Sequence, residues 1–263
     1  MAARNHIDLT VKTMNVLESL VESADGASLT ELTQRLGLVK SSVFRILFTL
    51  RELGYVEQIG ENGLYRLTFK ITGLVRRSIE GLTLSTLARP HLIRLRDRVQ
   101  ESVWLAELRA HGIVLIDVVE ASHRLKLSFD VGDLCPIHAT AVGKAIAAYL
   151  PPEQVEALLP KGTLPTLTSR TLTNRAQLKA ELDRVRQQQY AVNAEETIKG
   201  AILIGAPLFD SQGKVFAGIS VSAPTARCSL KKRREIIKHV LAASREITDD
   251  LRNTAFKAAE LEL

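Results

Sequence analysis

The sequence predicts an α+β protein in which two differently patterned parts follow one another. In the first 68 residues, apolar side chains recur at helical spacing, and an Asn-Gly pair separates two short strand-like runs. From residue 103 onward, strand-like runs lie on either side of helical segments without strict alternation, which favours a mainly antiparallel sheet. The 263 residues suffice for two domains of roughly 100–200 residues each.

The composition is that of an ordinary globular protein, with 46% hydrophobic and 24% charged residues, which argues against disorder. The net charge of +6 permits a polyanionic partner, but residues 1–68 carry seven basic and eight acidic side chains. Two cysteines do not form a disulfide framework and fit a reducing cytoplasm. No apolar run reaches the ~20 residues that span a bilayer, so we predict no membrane association, and we predict no signal peptide and no cofactor.

Three helices are predicted before the Asn-Gly pair, the first over residues 9–23. The second begins with a capping box, because Ser28 and Glu31 have the spacing at which each side chain bonds the other's amide. Gly37 supplies the left-handed residue that ends this helix. The third helix covers about residues 39–53. Its buried stripe consists of Val43, Ile46, Leu47, Leu50 and Leu53.

A β-hairpin is predicted directly after the third helix. Residues 55–59 alternate as a strand, residues 64–67 form its partner, and the Asn62-Gly63 pair is a strong hairpin signal. Helices followed at once by a hairpin indicate a winged helix-turn-helix over residues 1–68. The hairpin tip would then lie along the DNA backbone or the minor groove.

The exposed face of the third helix carries the side chains that we expect to contact DNA. Ser41 and Arg45 are one turn apart and are therefore neighbours on the surface. Short hydroxyls in the first turn suit phosphate contacts, and an arginine behind them can reach guanine in the major groove. An ordinary helical hairpin with a solvated face is the alternative. The predicted DNA-binding residues are Lys40, Ser41, Ser42, Phe44, Arg45 and Asn62.

Residues 69–100 keep helical spacing and are predicted to form a linker helix that dimerises the chain. Pro90 should either lie in the first turn of a new helix or kink a longer one. A plain connector is the alternative. Beyond residue 100 we predict one long final helix over 230–262. The predicted strands cover residues 104–108, 113–120, 125–131, 201–209 and 215–222.

The stretch HATAVGKA, residues 138–145, opens a helix with small side chains that would let a ligand approach its backbone. Exposed amides at a helix start favour an anion such as a carboxylate. Ser220 and Ser222 point to the same side of a strand, and buried hydroxyls need a partner, which a polar ligand or water would supply. Tight helix packing and serines bonded to the backbone are the alternative.

Four motifs together resemble the IclR-type family of bacterial transcriptional regulators. LTELTQRLGLVKSSVFRIL, LRELGYVEQ…YRL, HATAVGKA and GISVSAP occur in the family's order and spacing over most of the chain. The resemblance implies a winged helix, a dimerising linker helix and, over residues 101–263, a GAF-like effector-binding domain. It also implies homodimers or dimers of dimers on palindromic double-stranded DNA operators. The implied effector-binding residues are Thr140, Ala141, Val142, Gly143, Asn193, Leu203, Ser220 and Ser222.

Three positions depart from the family's pattern. Val39 replaces a frequent proline at the start of the recognition helix, Asn193 stands where an acidic residue is common, and Leu203 where some members have cysteine. An amide and an aliphatic side chain at the last two positions argue against transferring a known effector from another member. A neutral Asn193 would repel a carboxylate less than an aspartate would.

The resemblance implies a ligand-responsive transcriptional regulator, a repressor, and not an enzyme. It would sense a small organic-acid-like metabolite in the bacterial cytoplasm, at the nucleoid, and shift between states with different operator affinity. The alternative is an enzyme or a metal-binding protein built around Cys135 and His138. Catalysis would need an oriented base, and zinc would need three or four ligands; we predict neither catalytic residues nor a metal site.

Overall fold

The structure is a computed structural model that describes residues 7–23, 25–60, 63–73, 84–124, 127, 129–254 and 256. The chain divides into two compact units, Met1–Gly81 and Leu82–Leu263. None of the described helices is both long enough and apolar enough to cross a lipid bilayer.

The first unit has the predicted winged helix-turn-helix architecture. Its two strands pair antiparallel, and Ala27 forms an additional bridge to Tyr65. The helices are α1 (Asp8–Val21), α2 (Leu29–Leu36) and α3 (Lys40–Glu52), and the strands are β1 (Val56–Ile59) and β2 (Leu64–Leu67). The predicted tip residue Asn62 lies outside the described residues.

Local signals account for the helix boundaries of this unit. The Ser28 Oγ accepts from the Glu31 amide at 3.2 Å, and the Glu31 carboxylate accepts from the Ser28 amide at 2.7 Å, so the capping box is confirmed. The Ser28 hydrogen bonds lower the pKa of Glu31. Gly37 ends α2 with φ of 61°, a conformation that glycine adopts without strain. The core consists of apolar residues from every element, among them Val16, Leu20, Leu32, Val43, Leu47 and Val56.

The second unit is built on a five-stranded antiparallel sheet with the strand order β4-β3-β7-β6-β5. The strands are β3 (Ser102–Arg109), β4 (Gly112–Val119), β5 (Ala191–Ala194), β6 (Ala201–Phe209) and β7 (Val215–Pro224). The helices are α4 (Leu84–Val99), α5 (Ala141–Ala147), α6 (Pro152–Leu158), α7 (Arg175–Gln188) and α8 (Leu230–Asn253), with a 3₁₀ turn at Thr225–Arg227. The predicted α+β class and antiparallel sheet are confirmed.

Helices cover both faces of this sheet. On one face, α4 and α8 pack on residues such as Leu105 and Ile219. On the other face, α5 and α7 cover a second apolar cluster that includes Trp104. Gly205 lets the start of α5 lie directly on β6, since a Cβ atom there would be 2.8 Å from the Ala141 carbonyl carbon. The sheet and the start of α5 are therefore in backbone contact.

Four differences from the sequence predictions concern the second unit. The final helix, predicted over 230–262, ends at Asn253, and the described residues Thr254 and Phe256 are not helical. The helix α4, within the predicted linker 69–100, buries its apolar stripe in the core of this unit rather than leaving it free. The predicted strand 125–131 is wrong for its described residues, and residues 125, 126 and 128 lie outside the description. Instead, the following segment bonds to β4, where the Cys135 amide donates to the Ile113 carbonyl at 2.7 Å. The strand β5 was not predicted.

Candidate functional site

The helix α3 separates its apolar and polar residues onto opposite sides. Lys40, Ser41 and Arg45 are exposed, Phe44 keeps 49% of its surface exposed, and Ser42 is partly buried. The residues that anchor the helix in the core are Val43, Ile46, Leu47 and Leu50. Five of the six residues predicted to bind DNA thus share one accessible helix.

The start of α3 is suited to contact a phosphate. Val39 precedes the helix with φ of −67° and ψ of 133°, and its side chain makes no capping hydrogen bond. The first amides of a helix carry partial positive charge and point outward, so at an uncapped start they can donate hydrogen bonds to a phosphate oxygen. Lys40 and Ser41 lie at this end of the helix.

Two further residues on this side of the helix were missed in the sequence analysis. Phe48 keeps 47% of its surface exposed, and the Arg51 guanidinium lies 5.4 Å from the centre of its ring. Arg51 also donates to the Gln58 side-chain oxygen at 3.0 Å, which ties α3 to β1. The signal was available for Phe48, because it lies one helical turn after Phe44.

A cavity of about 160 Å³ lies between the sheet and the start of α5 in the second unit. Five of the eight residues predicted to bind an effector line it, and they come from α5, its N-cap, β6 and β7. These residues are Thr140, Ala141, Val142, Leu203 and Ser220. The structure therefore brings together residues up to 80 positions apart around one cavity.

The other three predicted residues do not line this cavity. Asn193 donates to the Ala139 carbonyl at 2.5 Å and to the Thr197 hydroxyl at 2.6 Å. The Ser222 hydroxyl accepts from the Trp104 indole N–H at 2.9 Å. Gly143 packs on the preceding loop, where an added Cβ would lie 2.8 Å from the Ile137 Cα. The three residues hold the walls in position, and the side chains of Asn193 and Ser222 are hydrogen-bonded to protein groups.

Most of the cavity wall was not predicted. Trp104 and Phe129 meet edge to face with ring centres 5.1 Å apart, and Trp104 lies opposite Ser220 in the sheet. The sequence signal was the single tryptophan in a strand-like run, but which strand pairs with which could not be read from it. The missed lining residues are Trp104, Leu115, Phe129, Asp133, Leu134, Cys135, Pro136 and Thr197.

The lining is mostly apolar, and its hydroxyls differ in their availability. The Thr140 hydroxyl donates to the Pro136 carbonyl at 2.9 Å, and the Thr197 hydroxyl donates to the Ala139 carbonyl at 2.6 Å. Within the described residues, the Ser220 hydroxyl has no protein partner, although Ser220 is only 3% exposed. Ser220 is therefore the lining side chain best placed to hydrogen-bond a guest molecule.

A buried ion cluster adjoins the cavity and was also missed. The fully buried Lys144 of α5 donates to the Val192 carbonyl at 2.9 Å and to the Glu196 carboxylate at 2.7 Å. The Glu181 carboxylate of α7 lies 3.5 Å from the same ammonium. Burial raises the pKa of Glu196, Lys144 opposes this rise, and Glu181 adds to it. The cluster joins α5, α7 and the segment that carries the lining residue Thr197.

Cys135 and His138 do not form a reactive pair. Burial, with a contribution from Asp133, raises the pKa of the Cys135 thiol to about 12, so the nucleophilic thiolate is suppressed at neutral pH. The His138 Nε2 is 3.0 Å from the Pro165 carbonyl oxygen, to which it can donate. In the part of the chain that the structure describes, no cluster of three or more His, Cys, Asp or Glu side chains is arranged for a metal. The geometry does not favour the enzyme or metal alternative.

Comparisons with known proteins match both compact units of the chain. The family model of the IclR helix-turn-helix domain matches residues 10–60, and that of the bacterial transcriptional regulator IclR C-terminal domain matches residues 76–249. The HTH-type transcriptional regulator KdgR of Dickeya chrysanthemi is 33% identical over 245 residues, which cover 93% of this chain and 80% of that protein. The transcriptional repressor IclR of Escherichia coli (strain K12) is 31% identical over 248 residues, or 94% and 90% of the two chains.

A solved structure extends the comparison to the fold. The crystal structure of Thermotoga maritima IclR superposes with a TM-score of 0.80 and 26% identity, and the match covers 94% of this chain and 100% of that one. The relatives are transcriptional regulators, and they match both units in the same order. The chain therefore belongs to the IclR family of bacterial transcriptional regulators, which bind DNA through the helix-turn-helix and respond to a small molecule.

Proposed function

We propose that this protein is a transcriptional repressor that binds a palindromic operator through paired copies of α3. Its affinity for the operator changes when a small molecule occupies the cavity beside α5. The observation that carries the proposal is that one chain combines an exposed Ser41–Arg45 face on a helix-turn-helix with a mostly apolar cavity in a separate compact unit. It acts in the bacterial cytoplasm, at the nucleoid, as a homodimer or a dimer of dimers and without enzymatic activity.

The size and lining of the cavity support a ligand with one compact ring. Cavities of about 150 Å³ with apolar walls hold a benzene molecule, and this one measures about 160 Å³. Trp104, Phe129 and Leu203 supply apolar contact, and the Ser220 hydroxyl is available for one polar group. The described lining residues include Asp133 and no basic side chain, so a neutral polar group fits better than the carboxylate expected from the sequence.

The mechanism is a shift between two arrangements of the chain. A ligand that binds one arrangement more tightly raises its population, and paired recognition helices are then held at a different spacing. The start of α5 is the element that transmits occupancy, because it lines the cavity and lies in backbone contact with Gly205 of β6. Coupling of this kind is reciprocal: the ligand changes the affinity for the operator by the same factor by which operator DNA changes the affinity for the ligand.

A thermal-shift experiment on the full chain tests the ligand assignment. Benzyl alcohol and benzoate serve as matched probes, because they share the ring and differ in charge. A ligand present at about 100 times its Kd stabilises the folded state by about 2.7 kcal/mol, so the bound probe should raise the Tm by several degrees. Ser220→Ala should weaken this effect, and Ser122→Ala, which removes an exposed hydroxyl outside the cavity, should not. An undiminished shift in Ser220→Ala would place the ligand elsewhere.

A second experiment tests the DNA-binding face. Arg45→Ala should abolish binding to a duplex selected by the wild-type chain, while the ligand-dependent rise in Tm persists. The two readouts separate the sites, because Arg45 and the cavity belong to different compact units. Unchanged DNA affinity in Arg45→Ala would show that α3 is not the recognition helix.

A further inference from the structure

Two aromatic rings stand on the exposed side of α3. Phe44 and Phe48 keep 49% and 47% of their surface accessible, whereas the apolar residues on the opposite side of the helix are buried. Large apolar side chains on a helix surface are costly to leave in water, and they commonly mark a contact surface. The capping and core packing of this unit do not require either ring.

The two rings form one continuous patch with the predicted DNA contacts. Residues three and four apart on a helix are neighbours, so Ser41 adjoins Phe44 and Arg45, and Phe48 adjoins the same two residues. We call these four residues the reading patch. It is flanked by Lys40 and Arg51, so the exposed side of α3 is basic, although residues 1–68 carry more acidic than basic groups. This local charge favours a polyanion over an apolar protein surface.

Phe48 also has a cationic neighbour that restrains its ring. The Arg51 guanidinium lies 5.4 Å from its ring centre, and the same guanidinium donates to Gln58 on β1 at 3.0 Å. A ring restrained by a cation–π contact loses little additional freedom on binding. The arrangement places an apolar surface, already ordered, next to Arg45.

We propose that Phe44 and Phe48 read thymine by packing on its C5-methyl groups in the major groove. The thymine methyl is the apolar group among the polar base edges of that groove, and phenylalanine is among the side chains that contact it. Four residues of helix rise about 6 Å, which is roughly two base-pair steps. The rings therefore address two thymines about two steps apart, beside a guanine within reach of Arg45. The inference rests on the proposed entry of α3 into DNA.

Deoxyuridine lacks only the C5-methyl group, so it tests this contact directly. The full-length protein selects duplexes from a random library, and the preferred site is resynthesised with deoxyuridine at each thymidine in turn. Burying one methyl corresponds to about fourfold in affinity, so we expect about that loss at each contacted position and about sixteenfold for both together. The Kd values are measured by fluorescence anisotropy at constant salt.

Variants assign each contact to one ring. Phe44→Ala and Phe48→Ala should each weaken binding to the thymidine duplex. Each variant should also lose the preference for thymidine over deoxyuridine, but at one position only. Ser41→Ala, a change within the same patch, should lower affinity for both duplexes by the same factor. The wild-type comparison requires no variant, so it decides the question even if a variant does not fold.

Two results would overturn the inference. Equal wild-type affinity for thymidine and deoxyuridine at every position would show that the rings read no methyl, while DNA binding itself would stand. If Phe48→Ala still prefers thymidine over deoxyuridine but changes its oligomeric state in sedimentation, the ring belongs to a contact between copies of the chain. Failure to select any duplex would overturn both this inference and the proposed function.

Discussion

At the residue scale, the buried ammonium group of Lys144 stabilises one wall of the cavity. Its ammonium is fully buried and lies against two carboxylates, those of Glu196 and Glu181. Glu196 also donates its amide to Asn193 at 2.8 Å, and the next residue lines the cavity. A buried charge that loses its partner is left with its full desolvation cost. The lysine therefore stabilises both the fold and the position of Thr197.

We expect Lys144→Met to lower the free energy of unfolding by about 3–5 kcal/mol, the usual result of removing one partner from a buried ion pair. Denaturant unfolding of the full chain measures the loss. Arg184→Gln is the matched control, because Arg184 bonds Glu181 at 2.6 Å with a side chain that is 61% exposed. Exposed pairs contribute about 0–1 kcal/mol, so a comparable loss in both variants would contradict the assignment.

The same variant has an expected pH dependence. Burial raises the pKa of Glu196 in the folded protein above its value in the unfolded chain, so this group's contribution to stability falls as the pH rises through the folded-state pKa. Lys144 opposes that rise, and its removal would raise the pKa further. The loss caused by Lys144→Met should therefore be larger at about pH 8 than at about pH 5. A pH-independent loss would argue that packing, not charge, is responsible.

At the element scale, the contact between α5 and β6 leaves no room for a side chain. A Cβ atom at Gly205 would lie 2.8 Å from the carbonyl carbon of Ala141 and 2.9 Å from the amide nitrogen of Val142. Backbone atoms cannot rotate away as a side chain can. Any side chain at this position must therefore displace the start of α5 and, with it, two lining residues of the cavity.

We expect Gly205→Ala to destabilise the protein by about 1–3 kcal/mol and to weaken the ligand-dependent rise in Tm, since overpacking forces the backbone to shift. Thermal unfolding with and without the bound probe measures both effects. Gly73→Ala is the control, because an added Cβ there would have no heavy atom of the described residues within 4 Å. Normal ligand binding in Gly205→Ala would show that α5 can move without affecting the cavity.

Elements with local signals could be predicted, and those that depend on distant partners could not. Ser28 and Glu31 fix the start of α2, and Asn174 caps α7 through the amides of Ala176 and Gln177. The strand predicted at 125–131 was wrong for residues 127 and 129–131, where the apolar side chain of Phe129 lines the cavity without its backbone joining the sheet. The strand β5 was missed because its four residues are defined by pairing with β6.

The cavity shows the same limit. Ser220 and Val142 could be predicted because they belong to short motifs, but Trp104 joins them only through the pairing of β3 with β7. Asn193 and Ser222 were expected to face a ligand, yet both bond to protein groups. Which of two buried polar groups remains available depends on neighbours that are more than fifty residues away. The sequence alone does not show which of these distant residues become neighbours in the fold.

At the scale of the whole molecule, α4 is part of the second unit. The Nε2 atom of His91 on this helix lies 2.7 Å from the Asp250 carboxylate of α8. The apolar stripe of α4 packs in the same core as α8. The segment that leads toward the helix-turn-helix is thus anchored in the ligand-binding unit. The prediction that residues 69–100 dimerise stays a prediction.

The distribution of charge leads to a prediction about salt. The exposed side of α3 offers about three basic side chains per copy, and each phosphate contact contributes about −0.9 to the slope of the logarithm of the association constant against log salt. Two copies should therefore give a total slope of roughly −5, and Lys40→Gln should reduce its magnitude by about two. Anisotropy at a series of KCl concentrations measures it. Lys199→Gln in the second unit should leave the slope unchanged, and an effect as large as that of Lys40→Gln would contradict the assignment.

Trp104 has a consequence for observing the molecule at work. It is the single tryptophan of the chain, it lines the cavity, and its indole N–H is bonded to Ser222. The tryptophan emission of the unlabelled protein therefore originates from the place where a metabolite would dock. The wavelength and intensity of this emission then report in real time, without a dye, whether the cavity is occupied. The winged unit has no tryptophan and contributes no indole emission.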